Sequence, residues 1–322
     1  MDYHFDFFSK RLYFFGLSAL LLVIGLIGGL VNGGLNFDIQ FEGGTHLEIP
    51  MKSGDFNTSD IEGYIRQAYG KIVTAQKQQL YAADAGEGQV VHLIIKASKS
   101  ETFSADQING LQEYLHEQYG LSEDQRVSIQ TVEPYIGAEM LNKGILAVII
   151  ASVLILLYVW IRFSVMSGLS AAVCATIALM HDALIVLSFY AIFRVPVNDS
   201  FIAAILTIIG YSINDTIIVY DRIRENSKNA KKLSYSELVN SSLNQTLTRS
   251  LNTVITTLIS VVTVYVFALI FRIGPLQEFC LPLIIGLVAG VYSTTFIATQ
   301  LWAMWQNKKN DMRLASQTAK KA

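Results

Sequence analysis

The chain has 322 residues, of which 52% are hydrophobic and 16% are charged, and its formal net charge is −2. A soluble domain carries about 25% charged residues, so this deficit indicates membrane-spanning segments. The near-neutral charge excludes the basic surface of a nucleic-acid-binding protein. Cys174 and Cys280 lie in apolar stretches, which excludes a disulfide framework. The five histidines show no metal-ligand spacing, so neither a metal nor a cofactor is predicted.

Six stretches each supply the roughly 20 apolar residues that a membrane-spanning helix needs. In chain order they are Leu12–Val31, Leu141–Ile161, Ser167–Phe193, Phe201–Asp221, Leu251–Phe271 and Leu281–Trp302. The sequence therefore predicts a polytopic α-helical membrane protein with six transmembrane helices and one polar domain between the first two.

Lysine and arginine collect at one end of the spans, and such residues favour the cytoplasmic side of a membrane. That end carries Lys10, Arg11, Arg162, Arg222, Arg224, Lys228, Lys231, Lys232, Lys308, Lys309 and Arg313, whereas the short loops at the other end carry Arg194 and Arg272. Both termini are therefore predicted to be cytoplasmic. A cleaved signal peptide at the first span is the alternative, but the apolar stretch exceeds the roughly 7–15 residues that such peptides use.

This orientation predicts how the chain is divided. Residues 1–35 hold the cytoplasmic N-terminus and the first span, and residues 36–138 form an extracytoplasmic domain. The other five spans lie in residues 139–305, with a cytoplasmic loop at 222–248, and residues 306–322 form a cytoplasmic tail.

The polar domain alternates short strand and helix patterns. Strands are predicted at Thr45–Ile49, Lys71–Leu80, Gln89–Ala97 and Arg126–Val132, with a Gly-rich turn at Asp84–Gly88. Capping boxes at Ser59–Glu62 and Ser104–Gln107 open two helices that stop at Gly70 and Gly120, and the second helix has the apolar face Ile108, Leu111 and Leu115. This βαββαβ order is that of an α+β ferredoxin-like fold. Without a nucleophile–base pair or a phosphate loop it indicates a binding or interaction module.

One carboxylate interrupts the fourth span. Asp215 lies about two turns from the predicted cytoplasmic end, where a charge costs at least ~2.5–3.5 kcal/mol on insertion scales. Tyr211 lies four residues earlier and Thr207 a further turn away. Such an acid normally faces protein or water and has a function, which makes Asp215 the candidate proton-binding residue.

The fifth span carries a polar stripe led by Arg249. It continues through Asn252 or Thr253, Thr256, Ser260 and Thr263 at spacings of three or four residues. Serine and threonine in spans are commonly packing residues bonded to their own backbone, and Arg249 could extend to the membrane interface instead of meeting the acid. The hypothesis carried forward is that Arg249 approaches Asp215 in one state, since a nearby arginine favours the ionised carboxylate.

Further polar residues belong to the candidate site. Asp182 follows His181 in the middle of the third span; it could contribute to proton coupling or form a packing hydrogen bond, and both alternatives stay open. Residues Asn214, Tyr211, Asn252, Thr256 and Ser260 are predicted to support the proton-coupling set Asp215, Arg249 and Asp182. The charged segment Asp221–Glu225 is either a solvated face or a docking surface between helices.

Four motifs resemble the SecF family, which consists of bacterial protein-export membrane subunits of half the size of RND-superfamily transporters. The motifs are Gly34–Gly44, His181–Asp182 with Ala-Leu-Ile, Gly210–Asn226 and Leu247–Thr253. The resemblance covers essentially the whole chain, and the Gly210–Asn226 block is highly specific. Asp38 and Gln40 depart from the family's G-x-D-F-x-G-G motif, and Glu133 replaces the usual Gly of S-V-G-P-x-x-G.

The resemblance implies a function in protein translocation. The chain would pair with SecD into a twelve-span unit of two related halves. It would associate with the SecYEG channel, YajC and SecA in the bacterial cell membrane, with no enzymatic activity. Proton-motive force, or Na⁺ in place of H⁺, would promote late steps of export of the translocating polypeptide. The family's acid and base fall on Asp215 and Arg249, and Asp182 matches its HD motif.

Three rival functions remain as alternatives. The first is an RND-type proton-coupled exporter of small molecules or lipids, although such proteins normally have twelve spans in one chain. The second is an intramembrane aspartyl protease with Asp182 and Asp215 as its dyad, although the G-x-G-D motif of those enzymes is replaced by Ser212-Ile-Asn-Asp215. The third is a passive assembly factor, for which Asp215→Asn would be silent.

Overall fold

The computed structural model describes residues 5–51, 55–81, 89–98, 103–120, 128–132, 134–229, 233–271 and 273–319. Within these residues, six helical segments are long and apolar enough to cross a membrane, which confirms the six predicted spans. They are α1 (Arg11–Val31), α5 (Pro134–Arg162), α6 (Gly168–Phe193), α7 (Asp199–Asn229), α8 (Tyr235–Ile270) and a last segment made of α9 (Gly274–Ser293), a π-helical turn (Thr294–Ala298) and α10 (Thr299–Ala319).

Most of the predicted cytoplasmic loop at 222–248 is helical. Helix α7 continues to Asn229, and Ser234 begins α8 with a capping box. The Ser234 hydroxyl accepts from the Glu237 amide at 3.3 Å, and the Glu237 carboxylate accepts from the Ser234 amide at 2.9 Å. The predicted tail at 306–322 is likewise helical as far as Ala319. Three of the basic residues used for orientation, Lys231, Lys232 and Arg272, lie outside the described residues.

Helices α6, α7 and α9 form the interior of the bundle, and α1, α5 and α8 surround them. Glycine allows α1 to approach α6 closely. A Cβ atom at Gly28 would lie 2.7 Å from Cγ1 of Ile192, so a larger residue there would force the Ile192 side chain of α6 to shift. The peripheral helices keep one apolar face exposed, as expected for helices that contact lipid.

The domain between α1 and α5 is a four-stranded antiparallel sheet with two helices. Its strands are β1 (Gly44–Met51), β2 (Val73–Tyr81), β3 (Gln89–Ser98) and β4 (Ser128–Val132), and its helices are α3 (Thr58–Tyr69) and α4 (Ala105–Tyr119). The strand order is β2-β3-β1-β4, with Leu47 of β1 opposite Ile95 of β3 and Ile129 of β4. Alternate β1 residues form a core with Ile108, Leu111 and Leu115. This arrangement confirms the ferredoxin-like fold.

The predicted start of the first domain helix needs correction. Asn57, not Ser59, caps α3, because its side chain accepts the Ser59 amide at 3.1 Å. Glu62 cannot close the predicted box, since its carboxylate accepts the Ala75 amide of β2 at 2.7 Å. The Ser104–Gln107 capping box and both glycine stops, Gly70 and Gly120, are confirmed. The predicted turn Asp84–Gly88, the first residues of the fourth strand (126 and 127) and Glu133 lie outside the described residues.

A short helix, α2 (Ile39–Glu42), joins the domain to the membrane helices. Asp38 caps it by accepting the Ile39 amide at 2.6 Å, and its other oxygen lies 3.2 Å from Nζ of Lys96 on β3. Gln40 accepts the amide of Asp199, the first residue of α7, at 3.1 Å. Asp38 and Gln40, the two residues that depart from the family motif, therefore connect this junction to the sheet and to α7, respectively.

Candidate intramembrane carboxylate site

Asp215 is buried in α7 and is held by one hydroxyl. The side chain is 6% exposed, and Oγ of Ser250 on α8 donates to its Oδ1 at 2.5 Å. Oδ2 is also buried and accepts no hydrogen bond within the described part of the chain. A buried carboxylate with one oxygen unsatisfied is poorly stabilised as an anion. A proton on Oδ2 or an approaching cation would relieve that deficit.

Ser250 was not predicted as a site residue. It belongs to the buried face of α8, where Ser242, Thr246 and Ser250 recur every four residues. That spacing places all three hydroxyls on one helical face. The signal was present in the sequence beside the longer stripe that begins at Arg249.

Arg249 is adjacent to Ser250 but its side chain is exposed. It lines a cavity of about 640 Å³ between α7 and α8, together with Ile218, Asp221, Arg222, Arg224, Glu225, Lys228, Gln245 and Thr246. Among the described residues no ion pair within 4 Å joins Arg249 to Asp215. The structure therefore brings the two predicted partners to neighbouring positions and leaves them unbonded.

The predicted polar stripe of α8 faces outward. Asn252, Thr256 and Ser260 are exposed, and the hydroxyls of Thr256 and Ser260 donate to carbonyls of their own helix at 2.9 and 3.0 Å. Thr253 and Thr263 do the same at 2.9 and 2.7 Å. Asn214 on α7 is also exposed, and the Tyr211 hydroxyl lies 3.1 Å from Oγ1 of Thr257. These supporting residues line the α7–α8 surface and do not contact Asp215 through any hydrogen bond of the described chain.

Asp182 forms a second site that is wholly buried. Its Oδ2 accepts hydrogen bonds from Ser212 of α7 at 2.7 Å and Ser293 of α9 at 2.9 Å. Nδ1 of His181 lies 3.4 Å from Oδ1, and the His181 ring stacks on Tyr292 at 6.0 Å. The carboxylate thus joins the three interior helices of the bundle.

The interior helix α7 carries both Asp215 and Ser212, which donates to Asp182. Ser212 lies three residues before Asp215, and Thr216 Oγ1 is 3.1 Å from the Ser212 carbonyl. The Thr216 hydroxyl oxygen also lies 2.8 Å from Oγ1 of Thr294, the first residue of the π-helical turn. Such turns occur frequently at functional sites. Within the described chain each acid has its own hydroxyl donors and no hydrogen bond joins them, unlike a protease dyad that shares one proton.

The charged end of α7 contacts a neighbouring helix. Arg162 of α5 donates to Asp221 Oδ2 at 3.0 Å, and Arg224 lies 3.0 Å from Asp221 Oδ1. Arg222 pairs with Glu225 at 2.7 Å. Of the two alternatives for Asp221–Glu225, the docking surface is the one observed at Asp221. All these groups are partly exposed, so each pair contributes at most about 1 kcal/mol.

The chemistry available here is that of binding one proton or a small cation at a carboxylate. Among the residues that the structure describes, no group of three or more histidine, cysteine or acidic side chains could hold a metal. Six spans, a ferredoxin-like domain between the first two, and carboxylates buried in the bundle define the protein class: a half-unit of an RND-type membrane protein.

Comparisons with known proteins narrow this class to a family. A family model described as "Protein export membrane protein SecD/SecF, C-terminal" matches residues 112–308. The SecF translocase subunit of Alicyclobacillus acidocaldarius is 34% identical over 311 residues, covering 96% of this chain and 95% of that protein. The SecDF subunit of Bacillus subtilis is 37% identical over 315 residues, covering 94% of this chain and 38% of that protein.

A solved structure agrees with these sequence matches. The crystal structure of SecDF from Thermus thermophilus superposes with a TM-score of 0.77 at 30% identity, covering 95% of this chain and 39% of that chain. The chain therefore belongs to the SecF family of protein translocase subunits and is a multi-pass membrane protein. It spans well under half of the SecDF chains that it matches and nearly all of the SecF chain.

Proposed function

We propose that this chain works with SecD in the Sec machinery and uses proton-motive force to promote late steps of polypeptide export through SecYEG. SecDF relatives support the pairing, because in them a segment matching this chain is 38% of a longer SecDF protein. YajC and SecA are the further partners in this proposal. The two termini are cytoplasmic and residues 36–138 are extracytoplasmic.

The contacts of the basic residues support that orientation. Arg162 and Asp221 meet at one end of α5 and α7, beside the cavity that holds Arg222, Arg224 and Lys228. The N-terminal segment reaches the start of α8, since the Phe8 amide donates to Asn240 at 2.9 Å. Cationic side chains from several helices thus share one end of the bundle, as the cytoplasmic bias of Lys and Arg requires.

Asp215 is the proton-binding residue of the proposal, and one observation carries it. Its Oδ1 is fixed by Ser250 while its buried Oδ2 has no hydrogen-bond partner within the described chain. Oδ2 binds the proton in one state. In another state Arg249, one residue from Ser250, moves from the cavity toward the carboxylate and favours release, since a nearby cation favours the ionised form. Transfer of one charge through the field supplies ~2.3 kcal/mol per 100 mV.

The exposed α7–α8 surface is the proposed contact with SecD. On α7 it contains Thr207, Gly210 and Asn214, and on α8 it contains Thr256 and Ser260, all exposed in this chain alone. Small and polar faces let membrane helices approach closely, whereas lipid gains nothing from them. Cover by a second six-span half would also shield Arg249.

The decisive experiment measures ion-gradient-dependent export in vesicles that contain SecD, SecYEG and this chain. Asp215→Asn is expected to abolish the gradient-dependent stimulation while co-purification with SecD is retained. Asp199→Asn is the matched control, because Asp199 is an exposed acid at the start of the same helix. Normal gradient-dependent stimulation of export in the Asp215→Asn vesicles would refute the proposal and would favour a passive assembly factor.

Arg249 has its own test in the same assay. Arg249→Met is expected to remove stimulation, because the carboxylate loses the cation that favours proton release. If Arg249→Met and Arg249→Lys both retain near-full stimulation, Arg249 serves only at the membrane interface. Applying a Na⁺ gradient without a pH gradient distinguishes Na⁺ from H⁺ as the coupling ion.

A further inference from the structure

Six aromatic rings form a continuous row across the two helices of the ferredoxin-like domain. In spatial order this aromatic strip consists of Phe56, Tyr119, Tyr114, Tyr64, Tyr69 and Phe103. The central pair, Tyr64 and Tyr114, is stacked with ring centroids 3.6 Å apart and an interplanar angle of 6°. The four outer steps have centroid distances of 6.0–6.5 Å and edge-to-face geometry.

The two halves of the strip repeat one pattern. Tyr64 and Tyr69 of α3 correspond to Tyr114 and Tyr119 of α4 at a spacing of fifty residues. Each helix ends directly after its second tyrosine at a left-handed glycine, with φ of 68° at Gly70 and 64° at Gly120. A phenylalanine, Phe56 or Phe103, precedes each N-cap. The strip is therefore approximately two-fold symmetric about the Tyr64–Tyr114 stack.

The aromatic strip is the outer layer of the domain core, and most of its rings pack against the core on one side while remaining partly accessible to solvent on the other. Its four tyrosines and Phe103 are partly exposed, while Phe56 is 4% exposed. A cation closes each end: Lys71 Nζ lies 4.7 Å from the Phe103 ring centre, and Lys77 Nζ lies 4.5 Å from that of Phe56. Burial raises the pKa of Tyr69 to about 12 and also raises the pKa of Tyr114. The hydroxyls of these two residues therefore stay neutral in the physiological range.

The helices around the strip are acidic. Their ionisable groups within the described ranges are Asp60, Glu62, Asp106, Glu113 and Glu117, against Arg66 and His116. Asp60, Asp106, Glu113 and Glu117 are exposed. Carboxylates lie on both helices, while Lys71 and Lys77 occupy the two ends of the strip, so its central part complements a ligand that combines apolar side chains with Lys or Arg.

We propose that the aromatic strip binds an extended, unfolded polypeptide segment that carries aromatic or aliphatic side chains and lysine or arginine. This inference rests on the proposed export function and assigns its polypeptide contact to one surface. Tyrosine offers a large rigid contact area at low entropic cost, and it tolerates varied sequences. The five centroid steps of 3.6–6.5 Å accommodate at most about eight extended residues. Because the two-fold axis reverses chain direction, either polarity fits.

The test is equilibrium binding by the full chain in amphipol, without SecD and without an ion gradient. The probe is a fluorescein-labelled ten-residue peptide of Phe, Lys and Ser, compared with the same peptide in which Glu replaces Lys. Anisotropy is expected to give the Lys peptide at least about tenfold higher affinity, an advantage that falls as salt rises.

Two sets of variants separate binding from folding. Tyr64→Leu with Tyr114→Leu keeps apolar packing, removes the flat rings and is expected to weaken binding of the Lys peptide about tenfold. Glu113→Gln with Glu117→Gln changes exposed side chains only. It is expected to weaken binding of the Lys peptide severalfold and to strengthen binding of the Glu peptide, because two repelling carboxylates are removed. Tyr135→Leu is the matched control, since Tyr135 is 77% exposed and lies outside the strip.

Unchanged affinity of both double variants, with circular dichroism and thermal stability like the parent chain, would overturn the proposal. Strip-dependent self-association of the chain without peptide binding would also overturn it, because a second copy would then be the occupant. The binding assay applies no ion gradient and is therefore independent of the export assay. If the peptide binds as expected but export does not depend on the gradient, only the proposed proton coupling is refuted.

Discussion

At the scale of single residues, the hydroxyl of Ser250 determines how Asp215 is presented. It fixes one carboxylate oxygen and leaves the other without a hydrogen-bond partner among the described residues. Hydrogen bonds to charged groups contribute about 1.5–3 kcal/mol, so this contact constrains both the rotamer and the charge of the acid. Ser250 is therefore a positioning residue in the proposed proton cycle.

Replacement of that hydroxyl gives a direct prediction. Ser250→Ala is expected to lower gradient-dependent export severalfold and to change its pH profile, because Asp215 loses its fixed donor. Ser250→Thr retains a hydroxyl at the same position and is expected to preserve most activity. Rates and pH profiles of export in vesicles check both variants, and an unchanged profile for Ser250→Ala would remove Ser250 from the site.

The sequence identified the acids of the candidate site better than their partners. Asp182 and Asp215 were evident because a charge is rare in an apolar span. Their donors Ser212, Ser250 and Ser293 were not identified, since serine is common in spans and only tertiary packing selects which hydroxyls meet a carboxylate. The exposed direction of Arg249 also depends on packing between α7 and α8, which periodicity along one helix does not encode.

His46 on β1 makes the ferredoxin-like domain sensitive to acid. Burial and the nearby Lys96 lower its pKa from the usual value of about 6.5. The folded domain therefore resists protonation, and the associated stability is present above pH 6.5 and decreases as the pH falls through the lowered folded pKa. We expect a lower Tm at pH 5.5 than at pH 7.5, and His46→Gln should reduce this difference. Identical pH dependence in both proteins would contradict the assignment.

At the scale of elements, periodicity and capping predicted most of the fold. All six spans and the βαββαβ order were correct, because apolar length and glycine stops are local signals. The errors occurred where long-range contacts decide: Glu62 bonds β2 instead of closing a cap, and α7 continues past the apolar region to Asn229. Helix α2 was also missed, since four residues carry too little pattern.

The α1–α6 contact provides an element-scale prediction. Gly28→Leu is expected to lower thermal stability by an amount equivalent to about 1–3 kcal/mol, because a Cβ there would collide with Ile192. Gly16→Leu is the matched control on the same helix, since no atom outside its immediate neighbours lies within 4 Å of a Cβ built at that position. Fluorescence-detected thermal denaturation in detergent measures both, and equal Tm values would argue against close glycine packing.

At the scale of the whole molecule, the bundle has a buried interior and an exposed polar surface on α7 and α8. Polar side chains are unfavourable against lipid, and Thr207, Asn214 and Asn252 would face lipid if this chain were alone in the membrane. A second half of related structure would cover them, which agrees with the proposed pairing with SecD.

Bulky substitutions on that surface test the pairing. Thr256→Phe with Ser260→Phe is expected to reduce co-purification with SecD at least about tenfold, because large rings prevent close helix approach. The control is Leu154→Phe, at a 60% exposed position of α5 outside the proposed contact. Full recovery of SecD with the α8 variant, or equal loss with the α5 variant, would place the interface elsewhere.

The self-bonded hydroxyls of α8 also have a mechanical consequence. Thr253, Thr256, Ser260 and Thr263 each donate to a carbonyl one turn earlier, so the helix carries its own hydrogen-bond partners when it moves. Sliding along a neighbouring helix by a fraction of a turn would break none of those four bonds. Displacement of α8 would instead be resisted by the hydrogen bonds that join it to other segments, among them Ser250–Asp215, Thr257–Tyr211 and Asn240–Phe8.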